Sequence, residues 1–167
     1  FGFDPPFRLC LGIDTGTKRT KTLVLDTETG EVVALAQRAY GTIEGLPPGH
    51  VEQDARTWIE AAEATVAECL EKIGARRSEL KAIGVSGQQH GLVALDEANE
   101  PLRPVKLWCD VSTEAQCEEF NKEFGGTEGL IERIGNPMLP GYTTPKLLWL
   151  KENEPANFRR LTTVLLP

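Results

Sequence analysis

The stretch Leu9 to Asp26, reading LCLGIDTGTKRTKTLVLD, decides the fold. Leu9, Cys10, Leu11 and Ile13 form a nearly unbroken apolar run, the pattern of a strand buried on both faces. The run ends in Asp14 and a small polar turn, Thr15-Gly16-Thr17. A second strand follows, in which Leu23 and Leu25 alternate with Thr22, Val24 and Asp26. The chain thus carries an acid and a Gly-Thr turn to the tip of a buried hairpin. Glycine lets backbone N–H groups approach a ligand closely, and successive N–H groups in a turn form an anion-binding concavity. Thr17 adds a hydroxyl donor, and Asp14 is placed to hold a Mg²⁺ ion directly or through water.

Two other readings of the turn stay open at this point. It suits a plain β-hairpin with a polar loop, and Asp14-Thr15-Gly16 also matches the signature tripeptide of aspartic proteases. The protease reading requires an all-β chain. Neither a Walker-type loop nor a G-x-G-x-x-G fingerprint is present.

Outward from the hairpin, Thr27 to Gly30 reads as a turn and Glu31 to Ala39 as a third antiparallel strand. Gly41 to His50 is a loop rich in glycine and proline. Asp54 is suited to cap a helix whose apolar face is Trp58, Ala62, Thr65, Val66, Cys69, Leu70 and Ile73, with Gly74 as its stop. That helix argues against the protease. Leu80 to Val85 is a short apolar strand ending in the polar cluster Ser86-Gly87-Gln88-Gln89-His90-Gly91. Leu92 to Leu95 and Val105 to Trp108 read as further strands, and Ser112 to Phe124 as a mostly solvated helix. Pro137 to Thr144 is turn-rich, Pro145 is expected to open a helix at its first position, and Thr162 to Leu166 closes the chain as a strand. The pattern is an α/β fold, a mixed sheet with helices on its faces. Ligands of such sheets gather at the carboxyl ends of strands, where Asp14, the Gln88 to His90 cluster and Trp108 are all expected.

At 167 residues the chain can bury a sizeable core, and a net charge of −7 disfavours nucleic acid as a partner. No apolar run is long enough to span a membrane, and no signal-peptide pattern is present. Cys10, Cys69, Cys109 and Cys117 lack C-x-x-C spacing, so a reducing, cytoplasmic compartment is expected rather than disulfides or zinc. Residues 1–8 read as a loose lead-in and 9–167 as one domain. The start at Phe1 and the end just after an apolar run suggest a piece of a longer protein.

Five ordered blocks then converge: GIDTGT at Gly12–Thr17, HVEQD at His50–Asp54, GVSGQQHG at Gly84–Gly91, LWCD at Leu107–Asp110, and GNPMLPGYTTPKLLW from Gly135 to Trp149. With them the chain resembles the FGGY family of carbohydrate kinases, its xylulokinases above all, over roughly Leu9 to Pro167. The resemblance implies an actin-like ATPase (ribonuclease H-like) domain with a mixed five-stranded sheet, three strands antiparallel and the rest parallel. It implies ATP and Mg²⁺ as cofactors and a ketose, D-xylulose first, as substrate. Asp14, Gly16 and Thr17 correspond to the phosphate motif, with Asp14 as the metal acid, and Lys18 beside them is expected to add charge against the phosphates. Gln89 and His90 correspond to the pair contacting ketose hydroxyls, and Trp108 to an aromatic lining the sugar site. Such a set suits a polyol, which takes amide and imidazole hydrogen bonds plus an aromatic face.

The family's catalytic base, an aspartate, falls beyond Pro167, so no catalytic residue is expected within this chain and a C-terminal kinase domain is its implied partner. A homodimer stays open. Lys18 and Arg19 stand where the family usually has small residues, and Gln89 stands where some xylulokinases have methionine. Glu52 and Asp110 read as loop-holding groups, and Trp58 and Trp149 as core. The alternative to an enzyme is a non-catalytic sugar-binding or interaction module on the same fold.

Overall fold

The computed structural model describes residues 8–167; the expected lead-in Phe1 to Phe7 lies outside the described residues. The elements in chain order are β1 (Leu9–Thr15), β2 (Arg19–Asp26), β3 (Val32–Ala39), β4 (Glu52–Gln53), α1 (Ala55–Ile73), β5 (Leu80–Gly87), β6 (Val93–Leu95) and β7 (Val105–Lys106). Then come α2 (Glu114–Glu123), α3 (Gly126–Ile134), α4 (Thr143–Asn153), α5 (Pro155–Arg160) and β8 (Thr163–Leu165). Two compact units result. Among the described residues, one holds 8–41 together with Arg56–Gln88, the other Thr42–Ala55 together with Gln89–Pro167. The 19-residue α1 is incompatible with an all-β protease.

The first unit is built on a sheet of order β3-β2-β1-β5. β1 and β2 form the expected hairpin, in register from Leu9↔Asp26 to Thr15↔Thr20, and β3 continues it antiparallel. β5 runs parallel to β1, aligning Asp14 with Ser86 and Thr15 with Gly87. The mixed sheet therefore stands, with four strands among the described residues rather than five. The later strands are two or three residues long and pair with one another in the second unit: β4 with β7 and β6 with β8.

α1 covers one face of the sheet, where Leu9, Leu11, Val24, Ala34 and Ala36 pack on Cys69 and Ile73. β1 is thus buried on one face, not two. Its other face carries Cys10 and Gly12, which are only half-buried.

β2 corrects a second expectation. Its buried face is not Leu23 and Leu25 but Thr20, Thr22, Val24 and Asp26. Polar groups tolerate that place because each has a partner. Thr20 pairs with the Tyr40 hydroxyl at 3.1 Å, Thr22 with the Thr65 hydroxyl of α1 at 2.7 Å, and Asp26 with Arg76 at 2.7 Å. The guanidinium of Arg76 holds the Asp26 carboxyl below its ordinary range, despite the opposing effect of burial. Thr65 anchors the pair by also donating toward the Ala61 and Ala62 carbonyls.

In the second unit, α2 is less solvated than expected. Its Cys117 packs with Leu130 of α3 and with Met138. The helices α3 and α5 carried no expectation. Pro145 is the third residue of α4, not the first; it still lies in the first turn, where its missing N–H costs little. None of the described helices is long and apolar enough to cross a membrane.

The Thr22–Thr65 pair gives a direct test of polar packing in the sheet. Thr65→Val leaves a buried hydroxyl unpartnered and is expected to cost about 1–3 kcal/mol in urea unfolding, with Thr22→Val/Thr65→Val recovering most of the loss. A double variant no more stable than the single one would show that the pair is not what Thr65 supplies.

Candidate functional site

The turn between β1 and β2 is closed by main-chain bonds. Gly16 N–H donates to Arg19 O at 3.0 Å, and a Cβ on Gly16 would meet that oxygen at 3.4 Å. The Gly16 N–H is therefore committed within the hairpin, so any anion cradle here is built from the rest of the turn. Tyr40 braces it. Its N–H donates to Lys18 O at 3.0 Å and its hydroxyl to Gly16 O at 2.6 Å. Burial raises the Tyr40 hydroxyl's pKa, with the nearby Asp14 charge adding and the Thr20 bond opposing.

At the same edge, Gln88 N–H donates to Thr15 O at 3.0 Å, and Thr17 Oγ1 donates to Gln88 Oε1 at 3.3 Å. Asp14 and Lys18 are exposed. Arg19 leans onto β3, its guanidinium 3.2 Å from Gln37 Oε1. Beside the turn lies an open cavity of about 490 Å³ lined by Gly12, Asp14, Lys21, Gly84 and Ser86, among others. Gly12 and Gly84, both in its lining, are paired in the β1–β5 register. An exposed carboxylate next to a hydroxyl fits Mg²⁺, which takes one or two carboxylates and keeps its remaining positions for water and phosphate oxygens.

Gln89, His90 and Trp108 belong to the second unit. His90 is half-buried, with a backbone φ of 62°, in the left-handed region. Holding a non-glycine residue there costs about 1–3 kcal/mol and requires the surroundings to over-determine it. Its imidazole stacks on Tyr142, ring centroids 4.7 Å apart. Both rings line a cavity of about 430 Å³ shared with Asn136, Met138, Thr143 and Thr144. Gln89 is exposed, and Trp108 is 51% exposed in the turn after β7; neither lines this cavity. Gly141 packs against Trp108, since a Cβ there would come within 2.5 Å of Trp108 O.

Two lysines, unremarked in the sequence, are fully buried. Lys146 donates to the His90 carbonyl at 2.7 Å and the Gly141 carbonyl at 2.6 Å. Burial pushes its ammonium down to about 8, partly opposed by Asp110 and Cys109 and assisted by Lys106. Lys106 lies 3.2 Å from Glu52, 3.3 Å from Asp110, 3.1 Å from His50 Nδ1 and 4.0 Å from the Trp149 ring centroid. Arg103 joins from Glu52 at 2.7 Å and Glu154 at 3.0 Å. Trp149 therefore roofs a charge cluster rather than filling an apolar core.

The donor atoms of His50, Glu52 and Asp110 lie within 4.8 Å of one another, a spacing that suits a metal. The Lys106 ammonium supplies the positive charge there instead. Asp110 serves as a loop holder, accepting from Val51 N–H at 2.9 Å and Ser112 N–H at 3.0 Å. Burial alone would raise its pKa, but those bonds, the Ser112 hydroxyl and Lys106 hold it below the usual range.

The sequence profile described as the FGGY family of carbohydrate kinases, N-terminal domain, matches residues 9–167. The xylulose kinase of Streptomyces coelicolor is 40% identical over 159 residues, covering 95% of this chain and 32% of that protein. The xylulose kinase of Haemophilus influenzae is 36% identical over 163 residues, with 94% and 32% covered. Among solved structures, the xylulose kinase of Rhodospirillum rubrum superposes with a TM-score of 0.86 at 30% identity, covering 95% of this chain and 32% of that one. The gluconate kinase of Lactobacillus acidophilus gives 0.82 at 27%, with 94% and 31% covered. The chain spans about a third of the length of the curated relatives it matches. The fold is that of the actin-like ATPase sugar kinases.

Asp110 gives the charge cluster its test. Its carboxyl is depressed in the fold, so the stability it supplies is full above its unfolded value of about 3.9 and is lost as pH falls through its folded value. Asp110→Ala is expected to cost about 3–5 kcal/mol at neutral pH, read as a lower urea midpoint, because it leaves buried Lys106 to share Glu52 with Arg103 and removes the acceptor of the Val51 and Ser112 N–H groups. An unchanged midpoint would mean the cluster contributes no net stability.

Proposed function

For a chain that belongs to the FGGY family of carbohydrate kinases, as its N-terminal domain, we propose that the intact protein transfers the γ-phosphoryl group of Mg²⁺-ATP to a ketose, D-xylulose giving xylulose 5-phosphate. In such a transfer the sugar hydroxyl oxygen forms a bond to the γ-phosphorus as the bond to the β–γ bridging oxygen breaks, and ADP leaves. Asp14 takes the Mg²⁺, Thr17 and Lys18 receive phosphate oxygens, and Gly16, lacking a side chain, lets the phosphate come close to the turn. Gln89 and His90 hold the ketose hydroxyls, and Trp108 offers its ring to the C–H face. The aspartate that accepts the hydroxyl proton comes from the remainder of the protein.

The observation that carries the reading is the pairing of the Asp14–Lys18 turn with Ser86–Gln88 at the carboxyl ends of two parallel strands. Carboxyl strand ends are where open α/β sheets bind their ligands. The choice of D-xylulose is supported by relatives named xylulose kinase at up to 40% identity. Gluconate is the rival substrate, favoured by the similarity to a gluconate kinase structure.

A chimera tests this. This chain replaces the matching N-terminal third of the Streptomyces coelicolor xylulose kinase, and ADP release is followed with D-xylulose and with gluconate. Xylulose-dependent turnover that falls at least about 100-fold on Asp14→Ala is expected, on the scale of removing one electrostatic contact to the transferring group. The 167-residue chain alone is expected to show no turnover. A folded chimera without turnover, beside an active parent, would leave the non-catalytic sugar-binding module as the better reading.

A further inference from the structure

Lys146 has no role in the proposed chemistry, yet its burial needs a reason. A fully buried ammonium is among the least common occupants of a protein interior, and an unpaired one relaxes by losing its proton. Here both of its hydrogen bonds go to main-chain carbonyls rather than carboxylates. One belongs to His90, the residue held at a φ of 62°. The other belongs to Gly141, whose neighbour Tyr142 forms the stack with the His90 ring. One cation thus ties together the two backbone segments that bring the imidazole and the phenol face to face. The downstream side of His90 is fixed as well, since a Cβ on Gly91 would come within 2.7 Å of Pro167 and 3.1 Å of Val105.

We propose that Lys146 is a positioning residue for the sugar site: its ammonium clamps the carbonyls of His90 and Gly141, holding His90 in its left-handed backbone with the imidazole laid on Tyr142 beside the cavity both line. The clamp acts through His90 and does not touch sugar. A residue in the left-handed region persists only where its surroundings over-determine it, and two charge-assisted bonds to adjacent carbonyls do so. The claim that this matters for the ketose rests on the reading of His90 given above; the claim that Lys146 sets the geometry of His90 does not.

The test uses the 167-residue chain and the probe D-xylulose. In the wild type the His90 ring protons are expected to be shifted upfield by the Tyr142 ring. Lys146→Met keeps the side chain's length and removes the donors. It is expected to abolish that shift and to weaken xylulose binding about tenfold, with Lys146→Gln falling between. A folded Lys146→Met chain with an unchanged His90 shift would overturn the proposal. A wild type that shows the shift, beside a folded chimera with the Streptomyces coelicolor remainder that does not bind xylulose, would overturn the sugar reading and leave the clamp standing.

A thermal-unfolding cycle covers the case in which the variant folds poorly. Glycine accepts the left-handed backbone without strain. A histidine released from the clamp recovers the strain of that backbone, which a glycine never carried, so Lys146→Met should destabilise a His90→Gly chain distinctly more than it destabilises the wild type. Equal losses in the two backgrounds, or unfolding in both, would overturn the clamp.

Discussion

Parallel pairing between β1 and β5 brings the carboxyl ends of two strands to one edge of the sheet, because parallel neighbours finish on the same side. That pairing aligns Asp14 with Ser86 and Thr15 with Gly87, and the loops that follow meet through Thr17 and Gln88. A parallel connection also requires a long crossover, which α1 supplies while covering one face of the sheet. The candidate phosphate turn is thus held from below by a core of Leu9, Leu11 and Val24 and from the side by Tyr40. Loss of the pairing would scatter the groups without altering any of them.

In the second unit, buried charge replaces apolar packing at the points that matter. Lys106 and Arg103 neutralise Glu52 and Asp110 beneath Trp149, fixing the loops around His50 and Asp110. Such clusters add little net stability over an apolar core of similar shape, but removing one member is costly. Lys146 uses the same device on main-chain carbonyls next to His90.

Much of this was legible in the sequence. Alternation in Leu9 to Asp26 and three- and four-residue spacing from Trp58 to Ile73 mark the hairpin and α1, because both elements follow their own periods. The turn at Asp14–Thr17 and the polar tip at Gln88–His90 were visible as breaks in apolar runs. The buried face of β2 was not, because Thr20, Thr22 and Asp26 are made acceptable by Tyr40, Thr65 and Arg76, partners far away in sequence. Lys106 and Lys146 escaped for the same reason. A lysine in isolation reads as surface, and only the fold supplies the acceptors that let it go inside. Helix α3 drew no expectation because Gly126 and Gly129 are poor helix formers, although Leu130 and Ile134 keep helical spacing.

The central claim is that the nucleotide's metal sits at the Asp14 turn. Line broadening of backbone amide resonances by Mn²⁺-ATP, a paramagnetic stand-in for Mg²⁺-ATP, reads this directly. The account requires the strongest broadening at Asp14–Lys18 and Ser86–Gln88, lost on Asp14→Ala. Broadening centred instead on His50, Glu52 and Asp110, unaffected by that substitution, would contradict it.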